Sequence, residues 1–182
     1  MTHCPSPLVD AIDQLDQLAE RVVTLLELHG AQLVLAESCT AGLIAGTLGG
    51  IPGVSAVLCG SAVVYQEETK RAWLEVSEEV LERWGTVAEA TSLSLAKNVL
   101  TMTPQATIAL GITGHLGPNA PPELEGAVFV AIAFREGPSI LADCRILNRE
   151  TSPRQERATR QRLAAVFAFQ RLIGTLDNTG KT

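Results

Sequence analysis

The chain has 182 residues, 46% hydrophobic and 19% charged, enough apolar material for one substantial core and too much for a disordered chain. Acidic residues outnumber Lys and Arg by 20 to 14, giving a net charge of -6. That balance argues against a nucleic-acid-binding surface, which needs clustered cations to neutralise phosphate.

Ser6-Pro7 has the chemistry of a helix start, with Ser as N-cap and Pro at the first helical position. Leu8, Ile12, Leu15, Leu18, Val22 and Leu26 follow at spacings of three and four, and Gly30 ends the helix as a left-handed cap. Gln32 to Ala36 reads as a buried strand, and a small-residue helix is predicted from Cys39 to Leu48. Val54 to Tyr65 reads as a long buried strand after the Gly50-Ile51-Pro52-Gly53 turn. Three short helices are predicted next, one carrying Trp73 and Leu74, one capped by Ser77 and closed at Gly85, and one from Glu89 to Leu100. Thr107 to Ile112 is a strand that runs into a Gly/Pro-rich loop, Thr113 to Pro122. Ala127–Phe134 and Ile140–Leu147 form a hairpin about Glu136-Gly137-Pro138. Ser152-Pro153-Arg154-Gln155 caps a last helix running to Leu176, with Asp177 to Thr182 as a frayed tail. Helices alternating with strands, and one antiparallel pair, predict a single α/β domain in three layers (α/β/α) with a mixed, mostly parallel sheet. Residues 8–176 form the domain in this reading, between tails at 1–7 and 177–182.

Ser38 stands where the first strand turns into a helix, the carboxyl-end position at which open α/β sheets bind ligands. The amides of Cys39 and Thr40 can there receive a phosphate or a developing oxyanion. Taken alone, Ser38 reads equally well as a simple helix cap. A serine nucleophile needs a base. His3, His29 and His115 give weak support to a Ser–His–Asp triad, which leaves a Ser–Lys arrangement using Lys70, with Tyr65 passing the proton or holding the hydroxyl. Cys39, at a helix start that lowers a thiol pKa, is the second candidate nucleophile. Cys4, Cys39, Cys59 and Cys144 are widely spaced with no CxxC pair, so neither a zinc site nor a disulfide framework is expected. Met1 to Pro5 lacks a basic head and an apolar run, and no apolar stretch is long enough to span a bilayer. A cytoplasmic chain without membrane contact is the expectation.

Ala36-Glu37-Ser38-Cys39-Thr40-Ala41-Gly42-Leu43, Tyr65 with Lys70 five later, Gly85-Thr86-Val87, and Gly111-Ile112-Thr113-Gly114 with Gly117-Pro118 and Gly126 occur in one order. This pattern resembles the CinA carboxy-terminal domain family, the nicotinamide-nucleotide amidases, over roughly residues 10 to 175. The resemblance implies a three-layer fold and deamidation of nicotinamide mononucleotide to nicotinate mononucleotide and ammonia. It further implies Ser38 as nucleophile, with Tyr65 and Lys70 around it. The chain departs from the family pattern at Ala41, Glu67 and Ala88, in the Asn119-Ala120-Pro121-Pro122 and Leu124-Glu125-Gly126 segments, and before the last helix at Thr151 to Arg154.

The expected site therefore has Ser38, Tyr65 and Lys70 as catalytic residues. Cys39, Thr40, Gly42, Thr113 and Gly114 serve the oxyanion and substrate, and Arg154 or Arg157 binds the substrate phosphate. No metal or organic cofactor is expected. The partners expected are a small-molecule nucleotide and a second copy of the chain in a homo-oligomer, with no nucleic acid. A non-catalytic nucleotide-binding or partner-binding module, and a serine amidase or esterase of altered substrate, are the alternative readings.

Overall fold

The computed structural model describes residues 9–145 and 152–179. The Ser6-Pro7 helix start and the end of the predicted Ile140–Leu147 strand lie outside them. The elements are α1 (Val9–Leu28), β1 (Leu33–Glu37), α2 (Leu43–Gly49), β2 (Leu58–Val63), α3 (Glu67–Leu74), α4 (Glu78–Trp84), α5 (Glu89–Met102), β3 (Ile108–Gly114), β4 (Ala127–Phe134), β5 (Ile140–Arg145) and α6 (Pro153–Thr179).

The five strands form one sheet in the order β2-β1-β3-β4-β5. β1 pairs in parallel with β2 and β3, whereas β3–β4 and β4–β5 are antiparallel. Only β4 therefore opposes the common direction, and the sheet is mixed and mostly parallel. Successive residues along a strand point to opposite faces, and each face has its own core. Leu33, Leu35, Leu110 and Ile132 join α1, α2 and α6 through Leu26, Ile44 and Phe169. Val34, Ala36, Ala109 and Ala131 join α3, α4 and α5 through Leu74, Leu81 and Leu95. The second face is built of small side chains because α5 lies close against it. A Cβ on Gly111 would stand 2.4 Å from the Ser92 carbonyl oxygen and 2.6 Å from the Ala96 nitrogen.

Several expectations hold in detail. Gly30 is left-handed at φ 58°, and the Ser77 hydroxyl accepts from the Val80 amide at 3.3 Å. Ser152 Oγ accepts from the Gln155 amide and donates to its side-chain oxygen, capping α6. Three segments differ. The predicted buried strand Val54–Tyr65 is a single 3₁₀ turn (Val54–Ala56) followed by the shorter β2. β2 is a sheet edge with half-open side chains, and a bulge at Cys59 interrupts its pairing with β1, between Leu33–Leu58 and Val34–Gly60. The helix predicted from Cys39 begins only at Leu43, because Ala41 and Gly42 take left-handed φ values of 53° and 89°. At the other end α6 continues past Leu176 to Thr179, and Asp177 meets Arg21 at 3.0 Å instead of fraying.

The chain leaves β1 for β2 on one side, passing α2 on one face. It then crosses back through α3 to α5 on the other face to reach β3. The carboxyl end of β1 is thus the point where the winding reverses, the crevice that open α/β sheets use for ligands.

Candidate active site

Glu37 ends β1 and Ser38 follows it, its amide still bonded to the Ile112 carbonyl of β3 at 3.1 Å. β2 ends one strand over, and the Val64 amide bonds the Glu37 carbonyl at 2.8 Å, carrying the chain past Ser38 toward α3. α3 then brings Lys70 back under the strand ends. Lys70 is 1% exposed, and its Nζ donates to Ser38 Oγ at 3.0 Å, to the Val64 carbonyl at 3.0 Å and to the Tyr65 carbonyl at 2.9 Å.

Three acceptors match the three protons of an ammonium. Two are carbonyl oxygens, which can only accept, so they fix two N–H bonds in either protonation state. The third direction points at the serine hydroxyl. When the amine is neutral its lone pair faces Oγ, the geometry of a general base on a nucleophile. Burial lowers the Lys70 pKa from its ordinary value of 10.5, with the Cys39 thiol and the Glu67 carboxylate opposing the shift.

The remaining walls come from the ends of β3 and α6. Ser38, Lys70, Thr86, Thr113, His115 and Arg157, together with neighbouring backbone, line a cleft of about 260 Å³. The Thr113 hydroxyl donates to the Thr86 carbonyl at 2.7 Å, tying β3 to the segment before α5. A Cβ on Gly114 would meet the Ala127 carbonyl at 2.7 Å and Cys39 Sγ at 3.1 Å, so only glycine fits there. The loop after it is pinched at its neck by paired bonds between His115 and the Gly126–Ala127 backbone. Arg157 reaches from α6 across the mouth and donates to the Gly117 carbonyl and the Tyr65 hydroxyl.

One turn further along α6, the fully buried Arg160 guanidinium bonds Glu125 at 3.2 Å and Glu156 at 2.7 Å. Gly117, with φ 70°, packs on that guanidinium, where a Cβ would come within 2.9 Å of one nitrogen. Gln161 holds the nucleophile turn itself, donating to the Thr40 carbonyl at 2.9 Å.

The structure brings together Ser38, Cys39, Tyr65, Lys70, Thr113, Gly114 and Arg157. It does not bring Thr40, Gly42 or Arg154 into the cleft wall. Thr40 is fully buried, Gly42 donates its amide to Glu37 at 3.0 Å, and Arg154 sits on the exposed side of the first turn of α6. Tyr65 has a different part from the expected relay. Its carbonyl, not its hydroxyl, meets Lys70, and Lys70 reaches Ser38 directly. Cys39 is not an activated thiol, since burial pushes its pKa up to about 12. The residue that sequence reading passed over is Glu37, an acidic side chain closing an apolar strand, which is fully buried and bonds the start of α2. Its signal was a carboxylate directly before the candidate nucleophile.

A profile of the CinA C-terminal domain matches residues 15–176. A putative competence-damage inducible protein of Natranaerobius thermophilus is 46% identical over 104 residues, 57% of this chain and 25% of that protein. A CinA-like protein of Pseudothermotoga lettingae is 35% identical over 163 residues, covering 88% of this chain and 38% of that one. The chain thus spans well under half the length of these curated relatives. The crystal structure of competence/damage inducible protein CihA from Agrobacterium tumefaciens superposes with a TM-score of 0.81 at 31% identity, over 97% of this chain and 99% of that one. A CinA superfamily protein from Klebsiella pneumoniae gives 0.81 at 28% identity, over 90% and 98%. The chain belongs to the CinA C-terminal domain family.

Proposed function

We propose that this domain hydrolyses the carboxamide of nicotinamide mononucleotide to nicotinate mononucleotide and ammonia, with Ser38 as nucleophile and Lys70 as its base. The observation that carries the reading is the 3.0 Å contact between Lys70 Nζ and Ser38 Oγ, in a site where two carbonyl oxygens engage the other two protons of the amine. The substrate comes from the family resemblance of the Glu-Ser-Cys-Thr, Tyr65–Lys70 and Gly-Ile-Thr-Gly blocks. A mouth bridged by an arginine is consistent with a phosphorylated ligand.

In this mechanism Ser38 Oγ attacks the amide carbon while its proton moves to Lys70 Nζ. The tetrahedral oxyanion is met by the amide of Cys39, which lines the cleft and whose N–H donates to no oxygen among the described residues. Lys70 then protonates the departing nitrogen, the C–N bond breaks, and ammonia leaves an acyl-serine. Water attacks the acyl carbon, gives its proton to Lys70, and the proton returns to Ser38. Arg157 exchanges its bonds to Gly117 and Tyr65 for the substrate phosphate.

Because Arg157 is bonded within the protein, a second reading has the same Ser–Lys pair acting on an amide without a phosphate. A substrate panel separates the two. Product chromatography is expected to show conversion of nicotinamide mononucleotide and none of free nicotinamide at equal concentration. Conversion of other amides with the mononucleotide untouched would favour the second reading. No turnover of any amide or ester by the folded protein would contradict both.

A further inference from the structure

The Glu37 carboxylate has no exposure and four bonds. One oxygen accepts from the Gly42 amide at 3.0 Å and the Ile44 amide at 3.2 Å. The other accepts from the Ala45 amide at 2.9 Å and the Ser61 hydroxyl on β2 at 3.3 Å. A carboxylate has about four acceptor sites, and here all are used. The residues so bonded lie on β2 and at the start of α2, on either side of the turn that carries Ser38. That turn contains two successive left-handed residues, Ala41 at φ 53° and Gly42 at φ 89°. The first is an alanine, for which this conformation is unfavourable and must be imposed by its surroundings.

We infer that Glu37 is a positioning residue of this site: its carboxylate clamps the start of α2 and the Ser61 side chain of β2 around the Ser38 turn, fixing the serine hydroxyl against Lys70. The inference rests on the reading of Ser38 as nucleophile. It also explains where an oxyanion can go. The first amides of α2 are turned onto Glu37, so the protein's own anion closes that helix end. The Cys39 amide, upstream of it on the cleft wall, is left for the substrate.

Both the charge and the length of this side chain matter to the clamp. In Glu37→Gln one oxygen becomes an NH2 group that must face either the Gly42 and Ile44 amides or the Ala45 amide, donor against donor. Glu37→Asp keeps the charge and shortens the reach by one methylene. Ser61→Ala removes one of the four bonds and leaves the carboxylate in place.

The test measures labelling of Ser38 by a fluorophosphonate, a serine-directed electrophile that makes no demand on the amide substrate. The rate is followed against pH, the modified residue is located by mass spectrometry, and the folded fraction comes from thermal melts. Per folded molecule, Glu37→Gln is expected to lower the plateau rate about a hundredfold, as a misplacement of order 1 Å does. The pH midpoint stays that of the wild type, because Lys70 is untouched. Glu37→Asp is expected to fall nearly as far and Ser61→Ala only severalfold. A merely structural role would lower the melting temperature and leave the rate per folded molecule unchanged, and that result overturns the inference. Where the Glu37 variants fail to fold, Ser61→Ala decides: an unchanged rate rejects the clamp. Wild-type protein that is not labelled at Ser38 overturns the nucleophile reading, and the clamp with it. Equal labelling of the wild type and all the variants overturns the clamp alone.

Discussion

Lys70 is held by two carbonyl oxygens and a serine, with no carboxylate bonded to it among the described residues, so the hydration lost by its charged form outweighs the attraction of Glu67. Its pKa in the folded protein is accordingly below the 10.5 of the free side chain. The sign of two pH effects follows. In the proposed mechanism activity needs the neutral amine and rises as pH passes upward through the lowered pKa, with its midpoint below pH 10.5. Folding stability also rises across that window, because the unfolded chain binds the proton that the folded chain has released. A rate–pH profile for amide hydrolysis with a single ascending limb, lost in Lys70→Met, is the expected result; an ascending limb that persists in the variant would assign it to another group. At this scale the sequence was informative because the Ser38 turn, Tyr65 and Lys70 stand at strand-to-helix junctions. The direct Ser38–Lys70 contact was not legible, since Tyr65 precedes Lys70 in sequence and only the α3 backbone decides which of the two side chains turns inward. Cys39 was misjudged for a related reason: proximity to a helix start lowers a thiol pKa only where the charge is also solvated, and this thiol is buried.

Helices and strands show the same division. Periodicity located α1, α5 and β4 and the caps Gly30, Ser77 and Ser152, because these depend on local chemistry. It merged the 3₁₀ turn at Val54–Ala56 with β2, because β-branched and small residues look the same at a sheet edge and inside a sheet. It started α2 four residues early, because Ala41 and Gly42 are left-handed and the Gly42 amide turns onto the Glu37 carboxylate, a partner that periodicity does not register. Close packing of α5 on β3 sets a prediction at this scale. Gly111→Ala places a methyl group inside contact distance of the α5 backbone and is expected to destabilise by about 2–3 kcal/mol, read as a lower urea midpoint with an unchanged m-value. Gly46→Ala, in α2 with nothing near its would-be Cβ, is the control and is expected to be neutral or slightly stabilising. Equal midpoints for the two variants would contradict the packing argument.

Across the whole molecule the residues that line the cleft come from distant parts of the chain and meet through topology. Ser38 follows β1, Lys70, Thr113 and Arg157 stand on α3, β3 and α6, and the 2-1-3 winding brings the first three to the carboxyl end of the parallel strands. Alternation of helices and strands predicts that convergence, which is why the fold and the meeting of Ser38 with Lys70 could be anticipated together. The α6 contribution was half legible. Arg157 was expected at the site, but the buried Arg160 with Glu125 and Glu156, and Gln161 on the nucleophile turn, depend on how α6 crosses the sheet. No helix among the described residues is long and apolar enough to cross a membrane.

In the proposed function Ser38, with Lys70 as its base, cleaves an amide in this cleft. Ammonia release from nicotinamide mononucleotide, measured for the wild type, Ser38→Ala and Lys70→Met with folding checked for each, tests it most directly. Steady release by the wild type is expected, with a fall of about a thousandfold or more in both variants, the scale seen when members of a catalytic unit are removed singly. Release by Ser38→Ala at the wild-type rate would contradict the proposed function.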